Sequence, residues 1–207
     1  MASQVLRGHS DDVSRFVVKS GLIVSGGRDK TLVGWRKHNG NDAYEFAFAR
    51  RYCHGSEVSA VDVADNGSVI LSGSRDNTVK VWKVVEDVLS PISTINIGDR
   101  IWSLATSNQG CVAVGSAGLY GIPSLCLLDL QTGVRQDIGV GLRKGAGMLD
   151  LEWIDDTKFL SCGYDSFSRL WDIRSGTCVR KWEEPFNEAI YCMATDKNMT
   201  LICGTAR

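Results

Sequence analysis

His9, Ser25 and Asp29 supply a base, a hydroxyl and a carboxylate, and His54, Ser72 and Asp76 supply the same three again. Those residue types are what nucleophilic hydrolysis needs: a nucleophile, a base to take its proton and an acid to orient the base. Such chemistry needs one exposed nucleophile beside an oxyanion pocket, whereas here the set recurs along the chain. It also recurs with tryptophan at fixed intervals. Ser25, Asp29 and Trp35, then Ser72, Asp76 and Trp82, then Ser161, Asp165 and Trp171 each keep steps of four and six residues. Fixed spacing in repeated copies marks a structural unit, so these residues are read as hydrogen-bonding groups and no catalytic residue is expected. The remaining histidine, His38, lies in a turn-like stretch over 37–42. No G-x-x-x-x-G-K-[ST] loop occurs, and Gly139-Val140-Gly141 lacks the third glycine of a dinucleotide loop, so no cofactor is expected.

The elements that hold these residues are hairpins. In Ile70–Lys83 (ILSGSRDNTVKVWK) an apolar run meets a polar turn, and Thr78-Val79-Lys80-Val81-Trp82 then alternates strictly. Ile23–Trp35 and Leu160–Trp171 repeat the pattern. Trp35 and Trp82 are 47 residues apart and Trp82 and Trp171 are 89 apart, which requires a degraded copy between them. Gly110–Gly115 and Leu125–Leu130 provide it, with Leu128 in the tryptophan position. Hairpins are therefore expected near residues 22–36, 69–83, 110–130 and 159–173, with a fifth unit begun at 189–207. Each is preceded by an apolar inner strand and followed by a more polar outer one, and Val5-Leu6-Arg7 is read as an outer strand. Gly118–Ser124 enlarges the third turn, and Gly139–Gly147 is a glycine-rich loop.

The 207 residues carry a formal net charge of −1, which provides no field to steer toward nucleic acid or an anionic membrane. No basic segment precedes an apolar core at the N-terminus, and no run approaches the roughly 18 apolar residues of a membrane span. An intracellular protein, cytoplasmic or nuclear, is expected. The seven cysteines include no C-x-x-C pair and mostly sit in apolar runs, so they are expected to be buried free thiols with no metal site.

Four antiparallel strands per period of about 45 residues, with Gly8-His9 and Trp171-Asp172 signatures, resemble the WD40-repeat family. The resemblance implies an all-β fold, a WD40-type β-propeller of four-stranded blades, here about four and a half blades of an incomplete ring over 1–207. It also implies that His, Ser, Asp and Trp of one blade form a hydrogen-bonded chain, whole in the first two blades and three of four in the blade of Trp171. Over 160–198, Ser161–Asp165, Trp171-Asp172, Trp182-Glu183-Glu184-Pro185 and Tyr191-Cys192 resemble the F-box/WD-repeat proteins. That resemblance implies substrate recognition in an SCF (cullin-RING) ubiquitin ligase, with a protein substrate or degron peptide as partner. The Skp-family adaptor and cullin would be reached through an F-box, which is not recognised in this chain. A WD40 scaffold with no ubiquitin role is the alternative. The residue before each turn aspartate, Arg28, Arg75 and Tyr164, is the candidate ligand-binding column; Arg75 matches the S-G-S-R-D turn fully and Arg28 nearly.

Overall fold

The computed structural model describes residues 4–37, 43–196 and 200–206; His38 and the rest of 38–42 lie outside the described residues. All regular structure among them is β apart from one 3-10 turn, and the chain divides into two compact units, Met1–Ile97 and Gly98–Arg207.

The first unit holds two four-stranded antiparallel sheets in simple meander order. One comprises β1 (Val13–Lys19), β2 (Leu22–Gly27), β3 (Leu32–Lys37) and β4 (Tyr44–Arg50). The other comprises β5 (Val58–Ala64), β6 (Val69–Ser74), β7 (Thr78–Val85) and β8 (Val88–Asn96). The second unit repeats the plan with β9 (Ile101–Thr106), β10 (Cys111–Ser116), β11 (Leu125–Asp129) and the short β12 (Arg135–Asp137). Its next sheet is β13 (Met148–Trp153), β14 (Lys158–Gly163), β15 (Phe167–Asp172) and β16 (Thr177–Glu183), and a two-stranded sheet follows, β17 (Cys192–Thr195) with β18 (Leu201–Gly204).

Burial follows from where each strand lies. In β6, Ile70, Leu71 and Ser72 are all fully buried, and the strand is paired on both edges, by β5 and by β7. Strand β4, at a sheet edge, is mostly exposed. Within each unit the sheets share apolar cores: Leu22, Val58, Ile70 and Trp82 lie in one cluster of the first, and Leu125, Met148, Phe159 and Trp171 in one of the second.

The turn chemistry explains the repeated aspartate. Asp76 Oδ1 accepts the Thr78 N–H at 3.0 Å and Asp29 Oδ1 accepts that of Thr31 at 3.1 Å, closing an Asx turn whose next residue, Asn77 or Lys30, takes a positive φ. Asp165 does the same more loosely toward Phe167, at 3.4 Å.

Three expectations change. Val5–Arg7 is not a strand; instead the Gln4 side-chain amide makes two hydrogen bonds with the Tyr44 main chain, at 2.6 and 2.9 Å. The first strand of the last unit starts at Cys192 rather than near Ala189. The cysteines are free, but Cys178, Cys192 and Cys203 are exposed and not buried.

Candidate functional site

The second sheet binds its four polar residues into one chain. The Trp82 indole N–H donates to Ser72 Oγ at 2.9 Å, Ser72 Oγ meets His54 Nε2 at 2.8 Å, and His54 Nδ1 meets Asp76 Oδ2 at 3.0 Å. Because Asp76 can only accept from the ring, the network assigns the Nδ1–H tautomer, which leaves Nε2 to accept the Ser72 hydroxyl. The electrostatics agree. Burial lowers the pKa of His54 against the opposing pull of Asp76, so the ring is held neutral. Asp76 meets the opposite balance: burial pushes its carboxyl up, but hydrogen bonds from Thr78, the Gly55 N–H and His54 outweigh that and hold it below the ordinary carboxylate value.

This order of contacts is that of a hydrolytic triad, but the surroundings are not. Ser72 is fully buried and its oxygen already receives the Trp82 indole, so no carbonyl carbon can reach it. The arrangement ties the segment before β5 to strands β6 and β7 and to the turn between them.

In the first sheet His9 Nδ1 meets Asp29 Oδ1 at 3.0 Å and His9 Nε2 meets Ser25 Oγ at 2.7 Å. The Ser10 N–H adds a bond to Asp29 at 2.9 Å. Burial opposes ionisation of Asp29, yet the bonds from His9, Ser10 and Thr31 keep its pKa low. Among the described residues no hydrogen bond joins Trp35 to Ser25, so this copy stops one residue short. Trp35 pairs with Ile23 as Trp82 pairs with Ile70, so the difference lies in side-chain placement and not in register.

The sheet of Trp171 keeps the indole bond, Trp171 Nε1 to Ser161 Oγ at 2.8 Å. Its aspartate is paired with a guanidinium in place of an imidazole. Arg169 grips Asp165 with two bonds, 3.1 and 2.6 Å, both side chains being buried. Arg169 pairs with Ser161 across the strands, the position held by Lys80 opposite Ser72. A basic residue in an inward strand position was the available signal for it. In the sheet of β9 to β12, Val114 stands at the serine position and Leu128 at the tryptophan position, both buried. The enlarged third turn is held otherwise, by fully buried Asp99 accepting the Leu119 N–H at 2.8 Å.

The candidate ligand column is defined by one repeated backbone bond. The N–H groups of Arg28, Arg75 and Tyr164 donate to the carbonyls of Asp12, Glu57 and Gly147, the residues just before β1, β5 and β13. Ala117 donates in the same way to Arg100, which makes Ala117 the counterpart in the third sheet. The two arginines already face carboxylates: Arg28 reaches Asp12 at 3.1 Å and Arg75 reaches Glu57 at 3.4 Å. Tyr164 instead stacks edge-on against Trp102, with centroids 5.1 Å apart, and against Tyr191 at 6.0 Å. Sequence spacing did not single out Trp102 or Tyr191, since neither keeps a repeat position shared by the other sheets.

Four-stranded antiparallel sheets carrying this polar chain define WD40 blades, and the chain carries WD40 repeats: the WD domain, G-beta repeat model matches residues 2–36 and 48–83. The solved WD40 β-propeller domain of Doa1 superposes with a TM-score of 0.78 over 97% of this chain and 63% of that one, at 23% identity. The chain is similar to F-box/WD repeat-containing protein 4 of Mus musculus, 36% identical over 209 residues, which covers 98% of this chain and 49% of that protein. It is also similar to ribosome biogenesis protein YTM1 of Vanderwaltozyma polyspora, 25% identical over 83% of this chain and 39% of that protein. The chain thus spans about half the length of the F-box/WD relative. No helix among the described residues is long and apolar enough to cross a membrane.

Proposed function

We propose that this WD40 protein-interaction domain recognises the substrate of an SCF-type cullin-RING ubiquitin ligase, presenting a target protein for ubiquitin transfer. The observation that carries the reading is the 36% identity to F-box/WD repeat-containing protein 4 across 98% of the chain, far beyond the two repeats that the general blade motif matches. On this reading the blades do no bond-making chemistry. The networks of His9, Ser25, Asp29, His54, Ser72 and Asp76 fix the strands, and the Arg28, Arg75 and Tyr164 column at the sheet ends serves recognition. An F-box would link the protein to a Skp-family adaptor and a cullin.

The similarity to YTM1 favours a second reading, a scaffold in a multiprotein assembly without ubiquitin transfer. Tagging the gene product at its native locus and identifying co-purifying proteins by mass spectrometry separates the two. Recovery of a Skp-family adaptor and a cullin is the expected result. Stoichiometric recovery of other proteins with neither of these would leave the scaffold.

A further inference from the structure

An antiparallel sheet leaves main-chain donors and acceptors open along its outer strand, and three of the four complete sheets blunt that edge. In β4 the Gln4 amide occupies both main-chain groups of Tyr44. Strand β8 carries Pro91, which has no N–H to give, and β12 is only three residues long. Strand β16 has none of these devices. It runs seven residues without proline, Thr177–Glu183, and among the described residues no strand pairs with its outer side. The Glu184 N–H donates to the Ser166 carbonyl at 2.8 Å, so alternation along the ladder turns the N–H and C=O groups of Lys181 and Glu183 away from β15.

The side chains beside that edge specify what it accepts. Arg180 and Lys181 are exposed, and neither makes an ion pair among the described residues. Each lies over a ring of its own sheet instead, Arg180 over Trp182 at 5.0 Å and Lys181 over Phe167 at 5.1 Å. Successive strand residues point to opposite faces, so the two cations flank the edge from both sides. Val179, 51% exposed, sits beside them in a groove of about 660 Å³ that Ile138, Val140 and Leu142 also line. Of the carboxylates nearby, Asp137 in the same groove is held by Arg135 at 2.7 Å, and Glu183 ends the strand. A second copy of β16 does not suit this edge, because antiparallel pairing centred on Arg180 and Lys181 sets cation against cation. An added strand with two adjacent carboxylates does suit it. Alternation sends one carboxylate to Arg180 and the other to Lys181, and the next residue falls beside Val179 in the apolar groove.

We propose that β16 binds an extended acidic protein segment by strand addition, with main-chain bonds to Lys181 and Glu183 and adjacent carboxylates on Arg180 and Lys181. The proposal rests on the chain being a protein-interaction domain. It uses none of the Arg28, Arg75 and Tyr164 column and no ubiquitin role, so co-purification and the following test fail separately. Fluorophore-labelled Lys-Thr-Glu-Glu-Val-Thr-amide is titrated with the 207-residue chain and followed by anisotropy. Two peptides are compared with it, one with lysine for both glutamates and one with both glutamate main-chain nitrogens methylated. Saturable binding of the first peptide is expected, weakened at least about tenfold by either change. Arg180→Glu combined with Lys181→Glu should weaken it as much, and Lys83→Glu on exposed Lys83 of the other unit should leave it unchanged. Amide exchange at Lys181 and Glu183, read by NMR, should slow in the complex, a response that charge attraction alone does not produce. The melting temperature reports whether each variant is folded, and Arg180→Gln with Lys181→Gln replaces the charge reversal if it is not. No saturable binding, equal binding of either comparison peptide, unchanged exchange at Lys181 and Glu183, or undiminished binding by a folded double variant overturns the proposal.

Discussion

Ser72 is a small side chain that two larger ones depend on. Its oxygen receives the Trp82 indole and its proton goes to His54, whereas Ser25 serves His9 alone. Removing a hydroxyl that leaves buried polar atoms unsatisfied costs about 1–3 kcal/mol per atom. Ser72→Ala is therefore expected to cost about 3 kcal/mol and Ser25→Ala about half that, read from denaturant midpoints; equal losses would contradict the shared-oxygen account. The same chain predicts acid sensitivity. Folding lowers the pKa of His54, so folding favours the neutral ring, and stability falls as pH drops below the ordinary histidine value of about 6.5. Folding also lowers the pKa values of Asp29 and Asp76, and their contribution is present above about pH 4 and lost below it. Denaturation midpoints should thus decline in two stages on acidification, with the first stage removed in His54→Gln. A flat profile between pH 7 and pH 5 would show that folding does not lower the His54 pKa.

The three sheets that close the turn with an aspartate compensate its charge differently, and this difference sets the next prediction. In the sheet of β13 to β16, Asp165 and Arg169 are both buried and bonded in bidentate fashion. Arg169→Met should cost about 3–5 kcal/mol, because it strands a buried carboxylate, while pairing it with Asp165→Leu should recover most of that loss. A double-mutant cycle on thermal unfolding measures it, and purely additive losses would show that the two side chains act independently. The element pattern itself was largely legible in the sequence. Period-2 alternation, turn aspartates and the 47-residue step locate β6 and β7, and the register confirms Leu128 opposite Val112 as Trp82 lies opposite Ile70. What could not be read were compensations made in space: Arg169 replacing a histidine, Asp99 bracing the third turn, and Ala117 answering to Arg28 and Arg75. Those depend on which residues face each other after bulges such as the one between Gly115 and Ser116, and local periodicity does not record a bulge.

At the scale of the whole molecule, the inner strands differ in what covers them. Strands β5, β9 and β13 are largely buried, whereas β1 is the same element by register and remains largely open to solvent. Phe16, Val18 and Val13 on β1 are 65%, 53% and 51% exposed. Apolar side chains along an uncovered strand contribute little to the stability of the sheet that bears them, since most of their area never leaves water. They offer instead a face on which a second molecule can bury apolar surface. Phe16→Ser combined with Val18→Ser should therefore reduce self-association of the 207-residue chain and leave its melting temperature within a few degrees, each change being worth about 0.5 kcal/mol or less. Val61→Ser, on the buried strand β5 at 4% exposure, is the contrasting case and should lower stability by about 2 kcal/mol or more without dispersing oligomers. Light scattering coupled to size exclusion, with melting followed on the same samples, distinguishes them. If the β1 variant stays as associated as the parent chain while its melting temperature drops, then β1 holds its own sheet together, and self-association must come from another surface.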